Sequence, residues 1–189
     1  MNNKFNRLMA KKTKKRIILT GAQGTGKTTL MNALAAEGTR TFSIARETAN
    51  ELGWPPAEDK VEEYQKNLFL KAMKSLSSKK DYISDRGLTC IAAYTFNGAL
   101  DGNIAKKTAD NQYLKLQKFH VENPDILVVY TPIEFAIEDD GLRSVDVENQ
   151  KKIDFLIKNL LDTAGIKYIT VTGSVEERVA QVEEALMNL

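Results

Sequence analysis

One cysteine, one histidine, one tryptophan and four prolines among 189 residues mark this chain first by what it holds little of. Cys90 has no partner for an internal disulfide and none of the Cys and His spacings of a zinc site. A stapled scaffold and a zinc module are therefore excluded, and a reducing compartment with Cys90 as a small core residue is expected. No apolar run approaches the roughly 18 residues of a membrane span, and the first residues form no signal-peptide core. These absences lead to the expectation of a cytoplasmic protein.

Acids are missing from residues 1–16, which carry seven cations, Lys4, Arg7, Lys11, Lys12, Lys14, Lys15 and Arg16. The remainder holds 20 cations against 25 acids, so the net charge of +2 conceals a basic leader on an acidic body. Such a block reads either as a solvated, flexible tail or as a source of salt-sensitive attraction to phosphate backbones. Met9, ahead of "AKKTKKR", resembles an internal start, which leaves open whether residues 1–8 belong to the native product. The expected organisation is a tail over 1–15 and one domain over 16–189. No internal repeat and no Gly/Ser linker divides the chain.

What the chain does have is alternation. Strand-length apolar runs stand at "RIILT" (16–20), "TFSIA" (41–45), "DYISD" (81–85), "DILVVY" (125–130) and "KYITVT" (167–172). Helical periodicity fills the gaps over residues 27–36, 61–77, 88–96, 103–121, 147–161 and 175–187. Ser174 and Glu177 make a capping box for the last of these, and "GWPP" at 53–56 reads as a loop. The pattern predicts an α/β fold of three layers, a five-stranded parallel sheet with helices on both faces.

Between the first strand and first helix lies "GAQGTGKTT", Gly21, Ala22, Gln23, Gly24, Thr25, Gly26, Lys27, Thr28 and Thr29. It matches GxxxxGK[ST] at every fixed position in strand–loop–helix context, which is what confirms the motif. The glycines let successive N–H groups point at phosphate oxygens, and the helix N-terminus adds positive potential. Lys27 would reach the β and γ phosphates of ATP, and Thr28 would bind Mg²⁺. The loop alone specifies a nucleotide and no reaction.

The reaction depends on residues elsewhere. The late strands are followed by "TPIEF" and "TGSVEER", not by the NKxD-type segment that reads guanine, so a GTPase switch is disfavoured. Asp85, at the carboxyl end of the third strand in "SDRG", would sit at the crevice where α/β sheets bind ligands. There it could hold Mg²⁺ with Thr28 or take a proton from an attacking hydroxyl, while Arg86 neutralises phosphate. Glu47, in "ARET" after the second strand, is a second carboxylate for the same edge, or else a first-turn acid of the following helix. Residues 131–152 read as a lid that carries Arg143 toward the triphosphate. The catalytic set is then Lys27, Glu47, Asp85, Arg86 and Arg143, and the reaction class is phosphoryl transfer to a hydroxyl. A regulatory ATPase whose lid presents a binding surface is the alternative. Trp54, Tyr94 and Phe96 could stack on an acceptor base or pack in the core. His120 reads as a solvated cation or neutral residue near a helix end.

The segments "GAQGTGKTTL", "SDRG" and "DILVVYTPIEFAIEDDGLRS", with Glu47, together resemble a group of P-loop kinases. It includes the ribosylnicotinamide kinase domain of a bacterial NAD-synthesis regulator, small AAA-type ATPase-like proteins and thymidylate kinase relatives. The resemblance runs from about residue 16 to 180 and implies ATP and Mg²⁺ as cofactors. The likeness of "YITVTGSVEERV" to the adenine border of such kinases implies ATP contacts at Thr172 and Gly173. The group also includes phage kinases of hydroxymethylated pyrimidines in DNA, such as 5-hydroxymethyluracil, an acceptor that the basic tail would suit. In that case the location is the host cytoplasm. Two departures fall on the acceptor side: Asn50 where the group often has Arg, and Gln150, Lys151 and Lys152 where it has a second lid Arg.

Overall fold

The computed structural model describes residues 15–53, 55–136 and 146–188. Five parallel strands, β1 (Arg16–Thr20), β2 (Thr41–Phe42), β3 (Tyr82–Asp85), β4 (Leu127–Tyr130) and β5 (Tyr168–Thr170), stand in the order β2-β3-β1-β4-β5. The helices among the described residues are α1 (Lys27–Leu34), α2 (Ile44–Leu52), α3 (Val61–Leu76), α4 (Leu88–Leu100), α5 (Lys106–Glu122), α6 (Val147–Thr163) and α7 (Val175–Met187). A short 3₁₀ turn, Glu58–Lys60, leads into α3.

Strand period divides the core in two. Ile17 and Leu19 point to one face with Ile83 and Val129, where α1 and α7 cover them through Leu30, Met31, Val182 and Leu186. Ile18, Tyr82, Val128 and Tyr130 point to the other and meet α3, α4, α5 and α6. β1 is buried on both sides along its whole length, which is why its centre, Ile17, Ile18 and Leu19, is apolar without a break. This is the three-layer α/β architecture expected from the alternation. With β1 flanked by β3 and β4, the order of strands reverses beside β1, so the phosphate loop and the end of β3 share one crevice.

Local differences have physical causes. The second strand is two residues long, and α2 begins at Ile44, where a run of five strand-like residues was expected. Ser43 precedes that helix, and its N–H donates to Glu47 Oε1 at 3.2 Å, a local bond that favours helix entry over continued pairing. The helix expected from residue 103 starts at Lys106, and α4 runs on to Leu100. At α7 the capping box is present as expected, Ser174 and Glu177 satisfying each other's backbone N–H groups.

Of the two readings open for His120, a solvated cation or a neutral residue, the structure favours the neutral one. It packs edge-on against Phe119, with ring centroids 5.3 Å apart, and burial pushes its imidazole down to about 4. The unfolded chain binds a proton there near pH 6.5 and the folded chain does not, so stability is full above that pH and falls as pH drops toward 4. Urea titrations at pH 7 and pH 4.5 should show wild type losing about 2 kcal/mol more than His120→Gln over this interval. Equal losses in the two proteins would show that His120 protonates freely in the fold.

Candidate functional site

The phosphate loop leaves β1 with backbone angles that side chains resist. Gly21, Gly24 and Gly26 take φ of 152°, 74° and 80°. At Gly21 there is no room either, since a Cβ would run into the carbonyl and hydroxyl oxygens of Thr131 at the end of β4. Gly26 ends the loop as the left-handed N-cap of α1, so the first N–H groups of that helix face the crevice. Thr25 braces the loop, its hydroxyl donating to Ala22 O at 3.0 Å and meeting Thr131 Oγ1 at 2.9 Å.

Lys27 is buried, and its ammonium donates to Ala22 O and to Thr25 Oγ1, the latter at 3.0 Å. Thr28, one residue on, donates its hydroxyl to Asp85 Oδ2 at 2.5 Å. Two sequence-distant members of the expected set are thus in contact, with Thr29 exposed beside them. A threonine hydroxyl and a carboxylate beside a phosphate loop are hard oxygen donors of the kind Mg²⁺ takes together with phosphate oxygens. Among the described residues no cluster of three or more His, Cys, Asp or Glu exists.

Arg86 is the one non-glycine described residue with positive φ, 79°. Its backbone is held by Leu19 O, which accepts its N–H at 3.1 Å, and by the Ser84 hydroxyl, which donates to its carbonyl at 2.7 Å. A left-handed arginine costs roughly 1–2 kcal/mol, and such strain concentrates at functional positions. The guanidinium lies 5.5 Å from the centre of the Tyr94 ring. Burial alone would pull its pKa down, but Tyr94, Cys90 and Asp85 hold it above the ordinary value, so it stays a full cation. Tyr94 in turn donates its hydroxyl to Gln23 Oε1 at 3.3 Å, tying Arg86 to the phosphate loop.

Glu47 is placed differently from the strand-end position. It lies exposed in the first turn of α2, the alternative its acid character had left open, on the β2 side of Asp85. Phe96 packs on Tyr113 at 6.5 Å and joins the core, so of the two described candidates for stacking it is Tyr94 that faces the loop, with Arg86 over it. Arg143 and Trp54, the basic tail up to residue 14 and the central part of the expected lid fall outside the described residues.

Three side chains that the sequence did not single out as site residues close on the loop. Gln150, on α6, is buried and donates to Gln23 O at 2.7 Å; it is one of three residues, with Lys151 and Lys152, that stand where the resemblance implies a second lid arginine. Asp154, one turn further, accepts from Tyr130 at 2.8 Å and faces the Ala22 N–H and Lys27; burial raises its pKa, and those partners draw it down. Arg178 of α7, 2% exposed, forks between Thr25 O at 2.8 Å, Gly173 O at 3.0 Å and the carboxylate of Glu134. A charged residue on an otherwise apolar helix face was the available signal for Asp154 and Arg178; only the fold gave them a target.

The segment after β5 is fully bonded within the protein. Thr172 N–H donates to Gln181 Oε1 at 3.2 Å, and its carbonyl accepts from Gln181 Nε2 at 2.9 Å. Gly173 N–H donates to both Glu134 oxygens at 3.2 Å. Ser174 N–H donates to Glu177 Oε2 at 2.7 Å, and its carbonyl accepts from Arg178 N–H at 3.0 Å. Phe135 lies over Arg178, 5.0 Å from guanidinium carbon to ring centroid, and beside Gly26, whose Cβ would approach it to 3.9 Å.

A glycine loop on a helix N-terminus, at the switch point of a parallel sheet, with a hydroxyl–carboxylate pair beside it, defines a P-loop nucleotide-binding protein of kinase-like fold. The chain matches the model of the AAA domain family over residues 16–178 and belongs to that family. None of the curated proteins matches it. Among solved structures it is similar to a deoxyadenosine kinase from M. mycoides with the products dCMP and a flexible dCDP bound. That likeness has a TM-score of 0.64 at 15% identity and covers 92% of this chain and 98% of the other. It is also similar to NadR in complex with NAD and AMP-PNP, with a TM-score of 0.66 at 14% identity over 94% of this chain and 50% of NadR. NadR in complex with NR gives a TM-score of 0.65 at 18% identity, covering 94% of this chain and 52% of that one. The chain therefore spans about half the length of NadR.

Proposed function

We propose that this protein is an ATP- and Mg²⁺-dependent kinase that moves the γ-phosphate to a hydroxyl of a nucleoside, a nucleotide or a hydroxymethylated pyrimidine in DNA. The observation that carries the proposal is the Thr28–Asp85 contact at 2.5 Å, which joins the phosphate loop to the end of β3. Thr28 and Asp85 would hold Mg²⁺, which would neutralise phosphate charge, and Lys27 would meet the transferring phosphate. With Asp85 engaged in this way, Glu47 is the carboxylate left to orient the acceptor hydroxyl, and Arg86 on its Tyr94 shelf is the cation for acceptor or transferring phosphate. Phosphoryl transfer asks mainly for positioning and charge neutralisation, which these groups supply. The deoxyadenosine kinase and NadR folds are in keeping with a nucleoside-type acceptor.

Labelled ATP with a panel of nucleosides, monophosphates, nicotinamide riboside and plain or hydroxymethylated DNA tests the reading. Label is expected on one acceptor class, in a Mg²⁺-dependent manner. If the acceptor is DNA, deleting residues 1–15 or raising salt should weaken DNA affinity, and transfer to small acceptors should be indifferent to the deletion. Nucleotide-dependent capture of a partner with no labelled acceptor would overturn the kinase reading in favour of a regulatory ATPase.

A further inference from the structure

The left-handed backbone of Arg86 fixes where its side chain starts, but a run of rotatable bonds still separates that point from the guanidinium. What steadies the charged end is Tyr94 on α4, whose ring centre lies 5.5 Å from the guanidinium carbon and whose hydroxyl is within hydrogen-bonding reach of it. A ring face alone leaves play, because the torsion that tilts a tyrosine ring has a broad well. The Tyr94 hydroxyl takes up that play by donating to Gln23 Oε1 at 3.3 Å. Gln23 can anchor it because Gln23 is itself held. It is 8% exposed, and its carbonyl accepts from Gln150 Nε2 at 2.7 Å, so its main chain is pinned to α6 while its side chain reaches α4. The motif GxxxxGK[ST] prescribes no side chain at this position, and the loop offers phosphate its backbone N–H groups. A long amide turned toward Tyr94 is therefore something that nucleotide binding does not require.

We propose that Gln23 is a positioning residue: its main chain serves the phosphate loop, while its side chain, through Tyr94, sets the place of the Arg86 guanidinium for phosphoryl transfer. This rests on the kinase reading, in which Arg86 meets the acceptor or the transferring phosphate, and on no particular acceptor. A cation aimed at charge that develops in the transition state loses its effect steeply when it is misplaced, so loosening the shelf should slow turnover and spare ATP binding.

Initial rates on the best acceptor of the panel, calorimetric ATP affinity with Mg²⁺ and urea midpoints, all on the full chain, test it. Gln23→Met keeps the length of the side chain and loses the acceptor oxygen; Tyr94→Phe keeps the ring and loses the hydroxyl. Each should lower turnover about tenfold, with ATP affinity within about twofold of wild type and the urea midpoint unchanged. The double variant should be no slower than either single one, since both break the same bond. In an Arg86→Ala background, itself slowed about 10²-fold, Gln23→Met should cost nothing further. The proposal is overturned by wild-type turnover in either single variant, by a double variant slowed about a hundredfold, or by a further loss on top of Arg86→Ala. ATP affinity that falls in step with turnover overturns it by putting the Gln23 side chain on the nucleotide. A Gln23→Met chain that fails to fold overturns it by making Gln23 a structural residue. Each of these results leaves the kinase reading standing, whereas wild type that labels no acceptor overturns both.

Discussion

Lys27→Ala is expected to lower phosphotransfer about 10²- to 10³-fold, the usual loss when one preorganised charge aimed at developing anionic charge is removed. Lys27 is held 5% exposed against the loop, where the low dielectric strengthens its effect on an entering phosphate. Ala22 O and Thr25 Oγ1 are neutral acceptors, so exchanging them for phosphate oxygens is electrostatically favourable. Asp154, on α6, lies within electrostatic reach of the Lys27 ammonium. Initial rates on the best acceptor of the panel measure the effect. Lys27→Met, which keeps the stem, should fold normally and be as slow as the alanine variant. Turnover within a factor of about two of wild type in both would remove the loop from the chemistry and with it the kinase proposal.

Arg178→Ala is expected to destabilise the fold by about 3–5 kcal/mol, the range found when one member of a buried charged cluster is removed. The side chain is 3% exposed while Glu134 is 27% exposed, so most of the cost falls on what loses its partner inside, the carbonyls of Thr25 and Gly173. Those carbonyls belong to the phosphate loop and to the segment after β5, which α7 pins together through this one guanidinium. Arg178→Lys should recover only part of the loss, because an ammonium can meet Glu134 but lacks the planar fork that reaches two carbonyls as well. Urea unfolding midpoints would measure both. A loss under about 1 kcal/mol in Arg178→Ala would mean that the loop is rigid without α7 and that the fork is incidental.

The phosphate loop was legible in the sequence because its function is local: three glycines, a lysine and a threonine do their work through backbone geometry set within nine residues. The sheet was legible because the central strands β1, β3 and β4 are buried on both faces and hold apolar residues such as Ile17, Leu19, Ile83 and Val128. The second strand was misjudged because Phe42 and Ile44 are both buried, yet Ile44 is buried as the first residue of a helix, and apolar spacing over five residues cannot tell the two apart. The partners of the loop were less legible still. Gln150 and Arg178 lie 127 and 153 residues from the groups they bond, a relation with no local signature.

What the sequence by itself determined is the kind of ligand and the class of fold. The P-loop's strand–loop–helix setting and the recurrence of apolar strands require no knowledge of what lies across the crevice. What only the tertiary structure decided is the company the loop keeps: Asp85 on Thr28, Arg86 on Tyr94, Gln150 and Arg178 on loop carbonyls, and Glu47 out on α2. Side-chain periodicity records which face of an element is buried and is silent on what it is buried against. Parallel crossovers bring together residues from distant stretches of chain, and their pairing is set by strand order.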